Sequence, residues 1–313
     1  MVNDSILIKE RQKADFAKLR MKLIEFEYGS DDLLICTEFI EYLERTADMN
    51  IKAIGKHNET GEKLEHDFGY PHRFTEDYMR LRYRKLYVLD EWFEENKHLP
   101  ISFISFTIKH NYKSKYEFHI DDHRQSWFRG GFEKLQEGKR LLMKHIRTMH
   151  PKPQYIMICE PHVDGFPHYH MIMFVHFEEK EIIKLKSLWE KYDMGSIDHG
   201  LNIEEKPNLN LNGLRNYLMK YMLKSLPTYK SKYGGTSWNK NQMLFNAVTW
   251  KYHFRTWFAS NELSHIMRKL PPRDEPNITW NQTEMDGYIL WNSRETREEY
   301  VKQQKLKKHR AHQ

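Results

Sequence analysis

Apolar residues recur every three or four positions in some stretches of the chain and every second position in others, and the change of period marks out the elements. "FIEYLERTADM" and "FTEDYMRLRYRKLYVLDEWFEEN" carry apolar residues at helical spacing among charges, so residues 1–98 are expected to be mainly helical. The polar, turn-rich "KHNETGEKLEHDFGYPHRF" lies between these helices. "PISFISFTIKH" alternates instead: Ile101, Phe103, Ser105 and Thr107 on one side, Ser102, Ile104, Phe106 and Ile108 on the other. That is the period of a strand. "FEKLQEGKRLLMKHIRTMH" then reads as an amphipathic helix. "QYIMICE" and "HYHMIMFVHF" read as strands on either side of the turn-rich "PHVDGFP". "EEKEIIKLKSLWEKY" is a second helix, "GSIDHGLNIE" a fourth strand, and "NLNLNGLRNYLMKYMLKS" a third helix.

The order strand, helix, strand, strand, helix, strand is the split βαβ pattern of ferredoxin-like and RRM-like folds. It predicts an α+β domain over 99–226. In it an antiparallel βαββαβ sheet has its first and third strands central and two helices on one face. The third helix is an addition, free to pack on or beside the other face. Beyond Pro227, "TYKSKYGGTSWNKNQ" is a polar loop and "NAVTWKYHFRTWFASNELSHIMRKL" is aromatic and reads as helical. "PPRDEPNITWNQTEMDGY" looks irregular, and the end, "VKQQKLKKHRAHQ", is basic without an acid. Residues 227–313 are therefore expected to be a mainly helical extension with a basic tail. There is no internal repeat and no helicase-type nucleotide motif. "GGFEKLQEGK" has the wrong glycine spacing for a phosphate-binding loop, and no Ser or Thr follows its lysine.

Charge and composition narrow the classes. The formal net charge is +6, and 18 Tyr, 17 Phe and 8 Trp are available. That balance is compatible with a nucleic-acid partner, since aromatics among Lys and Arg can stack bases, but most such rings serve a core. "RLRYRKLY" (Arg80 to Tyr87) could touch a phosphate backbone, although a solvated helix face accounts for it equally simply. No apolar run approaches the roughly 20 residues needed to span a bilayer, and the N-terminus has no apolar signal core. A cytoplasmic protein with no membrane partner is expected. Cys36 and Cys159 make no disulfide framework and no zinc-ribbon spacing.

The third strand carries the first chemical candidate. On a strand, residues i and i+2 share a face, so His168 and His170 project side by side with Ile172 and Phe174. Tyr169, Met171, Met173 and Val175 point the other way, toward the covering helices. His-x-His alone is weak. "CEPHVDGFPHYH" reads as a hairpin, however, and an even register would set Glu160 opposite His168 or His170 and on their face. Two imidazoles and a carboxylate make an open nitrogen and oxygen site suited to Mg²⁺ or Mn²⁺, with zinc chemically possible. His162 and Asp164 lie in the turn and read as turn residues.

The third helix carries the second candidate. At about 100° per residue, Tyr217, Lys220, Tyr221 and Lys224 fall within a sector roughly 100° wide. Leu214, Leu218 and Met222 form the neighbouring stripe, which would anchor the helix on the sheet. A snorkelling surface explains such a helix taken alone. Beside a metal strand, a phenol of ordinary pKa about 10 gains a way to become a nucleophile, because a nearby cation favours the phenolate.

"FISFTIK", then "PHYHMIMF", then "YLMKYMLK" together resemble, in order, the three motifs of the HUH endonucleases, specifically rolling-circle replication initiators. The Tyr-x-x-Lys-Tyr-x-x-Lys form resembles the two-tyrosine initiators of microvirus-type phages and of archaeal plasmids and viruses. "WEKYDMGSID" is also similar to the latter group. The resemblance implies divalent-metal-dependent nicking and rejoining of single-stranded or cruciform origin DNA through a 5′-phosphotyrosine intermediate. It leaves a free 3′-hydroxyl for a host polymerase, with a host helicase as a further partner. By position it makes His168 and His170 metal ligands with Glu160 as the third, Tyr217 and Tyr221 nucleophiles, and Lys220 and Lys224 supporting cations. Lys109, Arg215, Lys230 and Lys232 are further candidates for contact with DNA. A two-tyrosine transposase uses the same parts. A non-catalytic nucleic-acid-binding regulator on an RRM-like sheet is the alternative from another class.

Overall fold

The computed structural model describes residues 2–69, 72–109, 124–196, 200–205, 211–223, 228–231, 234–268, 278–285 and 288–291. In chain order the first elements are α1 (Val2–Glu25), α2 (Ser30–Asp48), β1 (Asn50–His57), β2 (Lys63–Gly69), α3 (Glu76–Tyr87) and α4 (Asp90–Glu95). Next come β3 (Ser102–Phe106), α5 (Arg124–Met149), β4 (Tyr155–Pro161), β5 (Pro167–Met173), α6 (Glu179–Lys191), β6 (Leu201–Glu205) and α7 (Leu211–Leu223). The last are β7 (Thr228–Ser231), β8 (Gly234–Ser237), α8 (Lys240–Lys251), β9 (Trp257–Ala259), α9 (Asn261–Ile266), β10 (Ile278–Met285) and β11 (Tyr288–Trp291). By contacts the chain divides into two compact units, one of residues 15–42 and 73–271, the other of residues 1–14, 43–72 and 272–313.

The larger unit is built on an antiparallel sheet of order β6-β3-β5-β4-β9. Its first four strands follow the expected α+β, ferredoxin-like path, with β3 and β5 central. Alternation decides the two faces. Ile104, Phe106 and Ile108 of the first-strand segment join Tyr169, Met171 and Met173 of β5 in one buried cluster with Phe132, Leu135, Leu142, Met143 and Ile146 of α5 and Leu185 and Trp189 of α6. Each such aliphatic side chain contributes about 1.5–3 kcal/mol of burial, so this face fixes the register of the central strands. Helix α6 starts at a capping box in which Glu178 and Glu181 satisfy each other's backbone N–H groups.

The opposite face belongs to α7, α3 and α4. Ile156, Ile158, Ile172 and Phe174 from the sheet meet Leu214, Leu218 and Tyr221 of α7, Met79 and Leu86 of α3, and Trp92 of α4 in a second buried cluster. The added helix thus packs on the face away from α5 and α6. Elsewhere in this unit α8 is buried along Met243–Thr249, and Phe39 of α2 lies against Phe74, Trp238 and Trp250.

Three segments differ from the reading by pattern. The aromatic stretch after Ala247 is not one helix: α8 ends at Lys251, His253 takes a left-handed conformation (φ 55°), and Trp257–Ala259 add to the sheet edge as β9, paired with Ile156–Ile158. In the smaller unit "NIKAIGKH" and the polar stretch after it form a β-hairpin, and "ITWNQTEM" is a strand, giving a sheet of order β11-β10-β1-β2. Ile51 and Ala53 of β1 are its buried alternate positions. Their partner β10 lies more than two hundred residues away, so no local pattern announces the pairing. The basic tail from residue 301 lies outside the described residues.

Candidate functional site

The β4–β5 hairpin has the even register that the chemistry needs. Glu160 pairs directly with His168, and Ile158 with His170. Across the next strand His170 pairs with Ser105, so Glu160, His168, His170 and Ser105 share the α7 face. The turn is built by its own sequence. Asp164 accepts a hydrogen bond from the Phe166 N–H (3.1 Å), the His162 N–H donates to the Phe166 carbonyl (2.8 Å), and Gly165 has φ 92°, a conformation that costs only glycine nothing. His162 and Asp164 are therefore turn residues, as their composition suggests.

Within this face the Glu160 carboxylate is buried, and its Oε1 lies 2.9 Å from His170 Nε2. The rings of His168 and His170 meet edge-on with centroids 4.4 Å apart. Tyr169, on the other side of the strand, is fully buried in the α5/α6 core.

Helix α7 brings both tyrosines onto this group. Leu214 and Leu218 are buried against the sheet, which turns the neighbouring sector toward His170. The Tyr217 hydroxyl lies 3.4 Å from His170 Nδ1, and its ring packs on Phe103 of β3 at 4.1 Å between centroids. Tyr221, one turn on, stacks on the imidazole of His170 at 3.9 Å and 20°. The two phenol rings meet edge to face at 4.9 Å. His170 is thus the hub: Nε2 toward Glu160, Nδ1 toward Tyr217, and one ring face under Tyr221.

The electrostatics show what the group lacks. The Tyr217 phenol is pushed far above its ordinary value, first by burial, then by its hydrogen bond and proximity to Tyr221, and then by the carboxylates of Glu160 and Glu204. Tyr221 is raised too, first by burial, with Glu160 also raising it and its hydrogen bond with Tyr217 working the other way. A phenol held so firmly in its neutral form is a poor nucleophile, and a cation among the donors would reverse the sign of the local field.

Among the described residues no three His, Cys, Asp or Glu side chains stand ready around one point for a metal. His170 and Glu160 are instead hydrogen-bonded to each other. Their 2.9 Å separation is close to the ~3 Å between adjacent donors on an octahedral ion with bonds of about 2.1 Å. A cation replacing the shared proton therefore needs little displacement of this pair, and His168 is the adjacent donor. Imidazole and carboxylate donors on one face fit a divalent ion of the Mg²⁺, Mn²⁺ or Zn²⁺ kind.

The other candidate residues separate. Lys220 is exposed, with Nζ 5.4 Å from the centre of the Tyr221 ring. Arg215 does not face solvent: it is 6% exposed, paired with Asp90 of α4 and stacked over Tyr87 at 4.0 Å. Two residues before Tyr217, it points to the far side of the helix and ties α7 to α3 and α4. Lys109 is exposed and paired with Asp193. Lys230 lies on β7, while Lys224 and Lys232 lie outside the described residues. Pattern reading missed Phe103, which packs on Tyr217, and Glu204, whose charge bears on it. The register alone explains both, since Phe103 pairs with Ile172 on one side and Glu204 on the other.

Residues 102–226 match the model of a protein family described as replication-associated protein, of the ORF2 and gene-2-protein type. The matched segment is less than half of the chain and runs from β3 through α7 and just beyond it. It therefore contains the hairpin, both histidines and both tyrosines, and makes this part of the chain similar to proteins associated with DNA replication. No curated protein matches the chain, and no solved structure does. No helix among the described residues is long and apolar enough to cross a membrane.

Proposed function

We propose that this chain is a replication initiator of the HUH type, which nicks and rejoins single-stranded origin DNA through a tyrosine ester. The observation that carries the reading is the convergence on His170, where a buried carboxylate, a second imidazole and two phenols from a separate helix meet at 2.9–4.4 Å. Plain packing does not call for that set of polar groups.

In this reading His168, His170 and Glu160 hold Mg²⁺ or Mn²⁺. The bound ion supplies Lewis-acid polarisation of the scissile phosphate and offsets the carboxylate charge that holds the phenols neutral. Tyr217 is the first nucleophile, because its hydroxyl faces His170 Nδ1 and Phe103 fixes its ring. Its oxygen forms a bond to phosphorus as the bond from phosphorus to the 3′ oxygen breaks. The phenol proton passes to His170 Nδ1 or to water, and the departing 3′ oxygen takes up a proton. The DNA 5′ phosphate stays on the tyrosine, and the free 3′-hydroxyl can prime a polymerase. Tyr221 is the second nucleophile, one helical turn away, with Lys220 beside its ring. Lys224 is a further supporting cation in the same sector.

A two-tyrosine transposase would use the same residues; an origin as natural substrate, rather than the ends of a mobile element, favours the initiator. The regulator reading has less support. An RRM-like platform needs its sheet face open for base stacking, whereas here Phe103 lies under Tyr217, and α7 buries Leu214, Leu218 and Tyr221 on that face.

The test is a pool of random-sequence single-stranded DNA, labelled at the 3′ end so that the label stays with the protein-bound fragment. Incubated with Mn²⁺ and run on a denaturing gel, the wild type should give a protein–DNA adduct, and Tyr217→Phe/Tyr221→Phe none. An adduct that survives the double substitution would sink the nucleophile assignment.

A further inference from the structure

Away from the tyrosine site, a cavity of about 550 Å³ opens at the β9 edge of the five-stranded sheet. That volume lies in the range of nucleotide-sized ligand sites. Five of its lining residues are cations, Arg73, Arg82, Lys85, Arg255 and Arg268, and among the described residues that line it none is Asp or Glu. Arg82, Lys85, Arg255 and Arg268 have no carboxylate partner among the described residues. The cations come from three directions: α3 presents Tyr78, Arg82 and Lys85 at i, i+4 and i+7, one face of the helix, Arg255 precedes β9, and Arg268 follows α9.

The rings are placed for stacking. Trp257 is half-buried on the edge strand, and the Arg82 guanidinium sits 5.7 Å from its centre and 4.9 Å from that of Tyr78. Arg73 is fixed, donating to the Asn246 carbonyl at 3.2 Å and to the Thr249 hydroxyl, so one wall is rigid. The cations burden one another: Lys85 is lowered first by burial and then by Arg82. Lys139, over Phe258 on the other side of β9, is lowered by burial and also by Arg255. A solvated basic surface would not show this, and an entering anion relieves it.

The location matters as well. Helix α3 packs on α7, and its Met79, with Met267 after α9, shares the buried cluster of Leu218 and Tyr221. The cavity therefore adjoins the helices that carry the proposed nucleophiles. We propose that it captures single-stranded DNA flanking the nick, with backbone phosphates on Arg82, Lys85, Arg255 and Arg268 and one base stacked on Trp257. This rests on the nicking reading for the identity of the strand and adds to it a second, non-covalent contact built from residues outside the three motifs. It also gives part of "RLRYRKLY" a use beyond a solvated helix face.

The experiment measures anisotropy of fluorescent dT8 with the full chain carrying Tyr217→Phe and no divalent metal, so that only capture is read. Arg82→Gln/Arg255→Gln should weaken binding at least about tenfold and flatten the slope of log K against log salt by about 0.7 per lost phosphate contact. Trp257→Ala should cost about 5- to 100-fold, the range for one stacked base, Trp257→Phe should recover part of it, and an abasic strand of equal length should be insensitive to Trp257→Ala. Lys85→Gln/Arg268→Gln is the second pair, should the first fail to fold.

Unchanged affinity and salt slope in a folded pair overturn the proposal. So does an abasic strand or polyglutamate that binds as well as dT8, which would make the cavity a general polyanion or acidic-peptide site. The two readings fail separately: dT8 capture that depends on the cavity with no adduct from the wild type rejects the nuclease alone, while adduct formation with dT8 affinity untouched by the cavity variants rejects the cavity alone.

Discussion

Replacing Glu160 by Gln keeps an acceptor for His170 but removes the charge, and this isolates what the carboxylate does. The Glu160 and His170 side chains are 9% and 13% exposed and meet at 2.9 Å. A hydrogen bond to a charged group contributes about 1.5–3 kcal/mol, part of which the amide retains, so the metal-free fold should survive with a loss of about 1 kcal/mol. The larger effect falls on the cation. Removing such a donor costs roughly 10- to 100-fold in metal affinity, or about 1.4–2.8 kcal/mol. With Mn²⁺ at about a hundred times the wild-type dissociation constant, binding should stabilise the wild type by about 2.7 kcal/mol. At the same concentration the variant should gain only about 0.4–1.4 kcal/mol by the same relation. Urea unfolding with and without Mn²⁺ measures both increments, and the adduct gel should show a parallel loss. A variant that keeps the full Mn²⁺ increment and adduct yield would refute Glu160 as a ligand. A wild type with no increment at all would remove the metal from His168 and His170 as well.

The raised phenols give a pH prediction. Tyr217 binds its proton more tightly folded than unfolded, so the stability it confers is complete below about pH 10 and is lost as pH rises from the unfolded value toward the folded one; Tyr217→Phe should therefore lose less stability than the wild type between pH 9 and 11 in chemical denaturation. Asp90→Asn leaves Arg215 buried without its charge partner. The 3–5 kcal/mol typical of a broken buried pair shrinks to about 1–3 kcal/mol, because the Asp90 side chain is 40% exposed, and equilibrium unfolding should show it. Gly165→Ala puts a methyl into the Phe128 ring at φ 92° and should cost at least about 2 kcal/mol, with adduct yield falling because the hairpin turn is strained; an unchanged melting temperature would contradict it.

What the sequence made legible follows from the range of the forces. Strand alternation and helical spacing act between neighbours, so β3 to α7 and the two faces of β5 could be read residue by residue. Glu160, His168 and His170 could be grouped because a short hairpin turns register into local arithmetic. Other features depend on partners far along the chain. β1 finds its edge at β10. β9 is three residues long, too short to alternate visibly, and its aromatic content suits a helix face as well as a sheet edge. Arg215 carries the same letter whether it meets DNA or Asp90, and only the packing of α4 beneath α7 decides. Phe103 and Glu204 needed the pairing of β6 with β3, which sequence order suggested but did not number.

The hairpin register has one more consequence, which concerns how such a site can vary over descent. A slip of one residue between β4 and β5 would send His168 and His170 into the α5/α6 core and expose Tyr169 and Met171, so the fold itself forbids it. A slip of two keeps every apolar residue on its own side and moves Glu160 from beside His168 to beside His170, a step of about 7 Å along the strand. The position of the carboxylate is therefore free to change only in even steps, and each such step costs the core little while changing the donor set outright. Variation at this position should be discrete, with related chains carrying the acid at one of a few rungs of the ladder.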